Sequence, residues 1–127
     1  MRLLLDTNAY TALLKGDTNV ASCVRKAEGI VMCPVVVGEL LFGYRNGNKY
    51  AQNLAELEEF LGSAYVELPS IGRHTCDYFS LIGSQLRRCG KPIPQNDIWI
   101  AAHSMETGAA LLTFDAHFQH IENLLLA

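Results

Sequence analysis

Four short segments rich in apolar residues, each separated from the next by stretches of helical character, constrain the fold of this chain most. Brief apolar runs without strict alternation are typical of strands that are buried on both faces, as in parallel sheets covered by helices. The predicted strands are Leu3–Leu5, Ile30–Cys33, Tyr65–Leu68 and Ala110–Thr113, with a possible edge strand at Leu124–Leu126. The pattern therefore predicts an α/β fold with a mostly parallel sheet and helices on both faces.

The intervening segments carry helix start and stop residues. Asp6-Thr7-Asn8 can cap a helix, Pro34 suits the first turn of one, and Gly90 can end one. We expect helices over residues 7–14, 19–27, 34–44, 49–62 and 71–88, and from 96 or 97 to 106.

The composition favours a single folded unit. Of 127 residues, 50% are hydrophobic and 18% are charged, which indicates one globular domain spanning residues 1–127. No apolar run approaches the roughly 18 residues that a membrane-spanning helix needs, and Asp6 interrupts the N-terminal apolar stretch, so we expect a cytoplasmic protein. The four cysteines form no C-x-x-C pair, which argues against a zinc knuckle or a disulfide framework.

The charge distribution is uneven along the chain. The formal net charge is −3, which argues against nucleic-acid binding by general positive charge. All ten Lys and Arg residues lie at or before Lys91, whereas four acids follow it: Asp97, Glu106, Asp115 and Glu122. The acidic C-terminal third is therefore expected to attract a cation.

Three aspartates have ordinary structural interpretations as well as functional ones. Asp6 follows the first predicted strand and could cap a helix. Asp97 lies in the first turn of a predicted helix, where the helix dipole favours negative charge. Asp115 follows the last main strand and could be a turn residue.

Glu39 is harder to explain in that way. It is the only charged residue between Ile30 and Tyr44, on a helix whose other residues are mostly apolar, and such a helix is usually buried. A lone buried carboxylate costs several kcal/mol unless a hydrogen bond, a charge or a metal compensates it. The alternative is that Glu39 lies at a solvent-facing edge.

Together, these four acids predict a metal centre. Asp6 and Asp115 follow strands, and ligands of open α/β sheets bind beyond the carboxyl ends of the strands. Clustered carboxylates repel one another, and hard oxygen ligands favour Mg²⁺ or Mn²⁺. An ion of this kind suits hydrolysis of phosphodiester bonds.

The motifs carrying these residues resemble those of PIN-domain nucleases, and among them the VapC-type toxins of toxin–antitoxin pairs. The matching segments are Leu5-Asp6-Thr7-Asn8, Val37-Gly38-Glu39-Leu40, Pro94–Ala102 and Leu111–Phe118. The resemblance implies a five-stranded parallel sheet, Mg²⁺- or Mn²⁺-dependent RNA cleavage, a small antitoxin partner and a homodimer. It places the acidic ligands at Asp6, Glu39, Asp97 and Asp115, with hydrogen-bonding support from Thr7, Asn8, Asn96 and Thr113.

Other side chains near these motifs have weaker interpretations. Arg45 and Lys49, beside a predicted Asn-Gly turn, are candidates for binding RNA phosphates. Trp99 could stack on a base, although packing in the core or in a dimer interface is the more ordinary role. His117 and His120 are three residues apart, but no other ligand motif supports a metal role for them.

Three alternative functions fit the sequence less well. A haloacid-dehalogenase-type phosphatase needs an acid where Asn8 stands, and a receiver domain needs a late lysine, whereas none occurs after Lys91. A catalytically inactive PIN fold that binds RNA or protein is the remaining alternative, and the presence of all four acids disfavours it.

Overall fold

A computed structural model describes residues 1–127 as six α-helices and four β-strands. In chain order the elements are β1 (Leu3–Leu5), α1 (Thr7–Leu14), α2 (Thr18–Lys26), β2 (Ile30–Val31), α3 (Pro34–Arg45), α4 (Tyr50–Leu61), β3 (Val66–Glu67), α5 (Arg73–Cys89), α6 (Gln95–Thr107) and β4 (Ala110–Leu112). A short 3₁₀ helix follows at Ala116–His120. Every predicted helix is present, with its ends within a few residues of those expected.

The four strands form one sheet in the order β3-β2-β1-β4, and every neighbouring pair is parallel. The α/β class and the parallel sheet are therefore confirmed. The predicted fifth strand is reduced to a single parallel bridge between Leu111 and Leu126. At this bridge the Leu111 N–H donates to the Leu125 carbonyl at 2.8 Å, and the Leu111 carbonyl accepts from the Ala127 N–H at 2.9 Å.

The sheet is covered on both faces. Successive residues of a strand point to opposite faces, and Leu3, Leu4 and Leu5 of β1 are all buried. These leucines belong to a single hydrophobic cluster of 24 buried residues to which helices and strands both contribute. None of the helices combines the length and the apolar character that crossing a membrane would require.

The strand order reverses between β1 and β4. From β1 the chain builds outward through β2 and β3, then returns to place β4 on the other side of β1. Leu5 pairs with Leu112 at the end of this parallel ladder, so the next residues, Asp6 and Thr113, leave the sheet side by side. Such reversal points open a crevice at the carboxyl ends of the strands.

His103 is an ionisable side chain in the core. It lies on α6 with no accessible surface, and neither ring nitrogen forms a hydrogen bond of normal geometry. Burial lowers the pKa of the imidazole, and the Glu106 carboxylate and the main chain of Ser70 offset this only in part. The folded protein therefore favours the neutral form of this side chain.

This burial predicts a pH-dependent stability. As the pH falls from about 7.5 to 5.5, the unfolded chain takes up a proton at His103, whose ordinary pKa is about 6.5, before the folded protein does. The free energy of unfolding should fall by at most about 1.4 kcal/mol per pH unit from this group. Urea unfolding at a series of pH values should show that this slope is lost in His103→Leu and kept in His74→Gln, which alters an exposed histidine of α5. If the free energy of unfolding depends on pH with the same slope in His103→Leu and in the unaltered protein, the assignment of this dependence to His103 is refuted.

Candidate metal centre

Asp6 lies at the centre of the crevice, where it is only 7% exposed. It is the N-cap of α1: its Oδ1 accepts a hydrogen bond from the Ala9 N–H at 2.8 Å. Its Oδ2 accepts a short hydrogen bond from the Thr113 hydroxyl at the end of β4. Asp6 therefore has the capping role that its position suggests, and a second contact turns the carboxylate toward β4.

Glu39 connects three helices. Its Oε1 accepts a hydrogen bond from the Thr7 hydroxyl at 2.7 Å, and its Oε2 accepts one from the Asn96 amide at 3.3 Å. Thr7 and Asn96 adjoin Asp6 and Asp97 in the chain, so these two bonds hold the Glu39 carboxylate beside both aspartates.

The expectation that α3 is buried all round is wrong. Only Val36 and Leu40 of this helix are fully buried, whereas Phe42 is 73% exposed and Glu39 is half-buried. The helix packs one side into the protein and turns the other toward an open groove of about 620 Å³. The groove is lined by Val35, Gly38, Glu39, Phe42 and Asn96.

Asp97 and Asp115 approach the crevice from two further helix starts. Asp97 is in the first turn of α6, and Asp115 caps the 3₁₀ helix through a 2.9 Å hydrogen bond from the His117 N–H to its Oδ1. The Asp115 N–H donates to the Thr113 hydroxyl at 3.0 Å. Thr113 thus contacts Asp6 and Asp115 together.

His117, for which the sequence offers no supporting ligand motif, lies beside two of the acids. Its Nδ1 lies 3.2 Å from Asp115 Oδ1 and 3.9 Å from Asp97 Oδ2. One ligand atom from each of these three residues lies within 4.8 Å of the others. The Asp-x-His spacing after the last strand was the available signal, but Asp97 is distant in the sequence and only the fold brings it close.

The acids carry negative charge without a Lys or Arg partner. No Lys or Arg forms an ion pair with any of the four. Burial raises the pKa of Asp6, against the lowering effect of its hydrogen bonds, and Asp115 and Glu39 raise it further. Burial also raises the pKa of Asp97, reinforced by Asp115 and Glu39. Each ionised carboxylate makes ionisation of its neighbours less favourable. This set of oxygen donors therefore fits a hard divalent cation.

Three of the other predicted residues form no side-chain hydrogen bond or ion pair with the four acids. Asn8 is exposed and makes no side-chain hydrogen bond, unlike Thr7, Asn96 and Thr113. Arg45 and Lys49 are exposed around the α3–α4 turn, and the Arg45 guanidinium lies 4.8 Å from the centre of the Tyr50 ring. The roles of these three side chains remain predictions.

Trp99 is engaged in packing. Its ring stacks on Phe79 of α5 with centroids 4.1 Å apart, and the side chain is partly buried. This contact accounts for Trp99 without a nucleic-acid base.

Comparison with known proteins places these features in a family. The PIN domain model matches residues 3–124. The chain is 28% identical to Ribonuclease VapC1 of Haemophilus influenzae over 129 residues, covering 98% of this chain and 95% of that protein. It is 29% identical to Ribonuclease VapC2 of Rickettsia felis over 131 residues, covering 99% and 96%.

Solved structures agree with the fold over the whole chain. The structure of VapBC-1 from nontypeable Haemophilus influenzae superposes with a TM-score of 0.87 at 27% identity, covering all of this chain and 97% of that one. VapBC2 from Rickettsia felis, bound to a DNA fragment from the promoter, superposes with a TM-score of 0.86 at 26% identity, covering 100% and 98%.

The repulsion within the centre predicts a stabilising substitution. In EDTA at pH 7.5, Asp97→Asn should raise the Tm by a few degrees, because it removes a carboxylate whose ionisation the fold disfavours. A gain of about 1 kcal/mol in the free energy of unfolding corresponds to roughly 3–5 °C in a chain of this size. With excess Mn²⁺ the unaltered protein should have the higher Tm, since only the unaltered protein gains free energy from binding the ion. Differential scanning fluorimetry measures both, with Glu59→Gln on the exposed face of α4 as the control. A lower Tm for Asp97→Asn in EDTA would contradict the electrostatic account.

Proposed function

The chain belongs to the PIN domain family, and from this membership and the geometry of its acidic crevice we propose that it is a metal-dependent endoribonuclease, the toxin of a toxin–antitoxin pair. The observation that carries the proposal is the convergence of four carboxylates at the β1–β4 reversal point without a Lys or Arg partner. Full-length similarity to two proteins named ribonucleases supports it.

We assign Mg²⁺, or Mn²⁺ in its place, to Asp6, Glu39, Asp97 and Asp115. When bound, such an ion supplies a Lewis acid that activates water and stabilises charge on a phosphate group. Thr7, Asn96 and Thr113 hold the carboxylates in position through their hydrogen bonds. Asp115, whose side chain is 38% exposed against 18% for Asp97, is the acid best placed to orient a water molecule.

The substrate side of the centre is the open groove beside α3. Its apolar lining at Val35 and Phe42 offers contact area for nucleotides, and Glu39 and Asn96 place the groove next to the acids. Arg45 and Lys49 are our candidates for binding backbone phosphates, since an acidic protein must hold RNA through local positive charge. Attack by water on the phosphorus atom, with cleavage of its bond to the 3′ oxygen, leaves a 5′-phosphate on one product and a free 3′-hydroxyl on the other.

The partner we propose is a small antitoxin that blocks this groove. The similar structures from Haemophilus influenzae and Rickettsia felis are VapBC assemblies, and the latter is bound to promoter DNA. We extend this arrangement to the present chain, with residues 1–127 acting as one PIN domain, two copies forming a homodimer, and the cytoplasm as the compartment.

Two alternatives are distinguished by activity. An inactive PIN fold that binds RNA or protein would retain binding without cleavage, and a metal-dependent phosphatase would release phosphate from monoesters. The presence of all four acids in one crevice favours the nuclease over the binding module.

We predict RNA cleavage that depends on the acids and on the metal. The purified chain should cleave RNA with Mg²⁺ or Mn²⁺ and stop in EDTA, and Asp6→Asn and Asp97→Asn should each reduce the rate at least about 100-fold, in keeping with the loss of a charged group that acts in the transition state. Glu59→Gln should retain full activity. Gel electrophoresis with end-group mapping should show 5′-phosphate ends. Cleavage that persists in both aspartate variants, or 2′,3′-cyclic products, would overturn the mechanism.

We also predict a genetic partner. A short adjacent gene should encode a DNA-binding protein that copurifies with this chain and suppresses its cleavage of RNA. Size-exclusion chromatography of the coexpressed pair, followed by the cleavage assay, checks this. A chain that has no such neighbour and is active without inhibition would be a free-standing nuclease.

A further inference from the structure

We propose that His117 is a ligand of the metal centre, and that the centre therefore binds transition-metal ions such as Mn²⁺ and Co²⁺ in preference to Mg²⁺. This inference rests on the proposed function, because it names the ion preference of the same centre. The ligand group is Asp97, Asp115 and His117.

The distances in this group suit a common ion. His117 Nδ1 lies 3.2 Å from one carboxylate and 3.9 Å from the other, and all three ligand atoms fall within 4.8 Å. Neighbouring ligands of an octahedral ion with bonds of about 2.1 Å lie roughly 3 Å apart. Small rotations of the side chains are therefore enough to close the three atoms around one cation.

The position of His117 is determined by the fold, although its side chain is 52% exposed. Its main-chain N–H is bound by the Asp115 carboxylate at 2.9 Å, and the next residue, Phe118, is buried with 1% exposure. These two contacts hold the first turn of the 3₁₀ helix against the core. His120, in the same helix, is exposed and lies outside the ligand group, which makes it a matched control.

The chemistry of imidazole sets the expected preference. Mg²⁺ prefers oxygen ligands, whereas nitrogen ligands raise affinity for first-row transition ions in the order Mn²⁺, Fe²⁺, Co²⁺, Ni²⁺. A centre made only of carboxylates lacks the nitrogen ligand that strengthens this bias. One histidine in reach of two aspartates changes the selectivity of the centre without removing its oxygen ligands.

The test is pulsed EPR of the full chain loaded with Mn²⁺ at pH 8. Electron spin echo modulation should show a coupled ¹⁴N nucleus in the unaltered protein and in His120→Gln, and no such signal in His117→Gln. Calorimetry should show that His117→Gln and His117→Ala weaken Mn²⁺ and Co²⁺ binding at least about tenfold while changing Mg²⁺ binding less than about threefold.

The outcomes separate this inference from the proposed function. If Mn²⁺ binds, Asp97→Asn abolishes binding, and the unaltered protein shows no ¹⁴N coupling, the acidic centre stands and the role of His117 is overturned. If Mn²⁺ does not bind the unaltered protein at all, the acidic metal centre and the role of His117 are both overturned. An equal loss of affinity for Mg²⁺ and for Mn²⁺ in His117→Gln would also refute the proposed selectivity.

Discussion

The pairing of β1 with β4 is the constraint on which the rest of the centre depends. Because Leu5 is in register with Leu112, Asp6 and Thr113 leave the sheet together and their side chains form a hydrogen bond. A slip of one residue would turn the leucines of β1 to the opposite faces of the sheet and separate this pair. Burial of those leucines in the core therefore stabilises the position of Asp6 as well as the fold.

The fold also decides how four negative charges can lie close together. Asp6 and Asp115 each accept a main-chain N–H at the start of a helix, and Asp97 lies in the first turn of α6, so helix dipoles favour all three charges. Glu39 relies instead on side-chain donors from two other helices. These contacts orient the carboxylates but leave the repulsion between them uncompensated, and a bound cation would offset it.

Much of the fold was predictable because its signals are local. The bounds of α1 and β1 follow from a run of leucines and a capping aspartate, whereas the fifth strand depends on long-range pairing and shrinks to one bridge at Leu111. The acids of the centre stand out by residue type, and their convergence follows from strand order. Burial of α3 was mispredicted because its apolar residues line an open groove. A metal role for His117 was disfavoured because Asp97 approaches it only in the folded chain.

The most direct measurement of the central claim is the position of a bound metal. Crystals grown with Mn²⁺ should give an anomalous difference peak in the crevice beyond β1 and β4, within about 2.0–2.3 Å of carboxylate oxygens from Asp6 and Asp97. A crevice without a peak at saturating Mn²⁺, or a sole peak at an acidic cluster elsewhere, would contradict the assignment of these carboxylates as a metal centre.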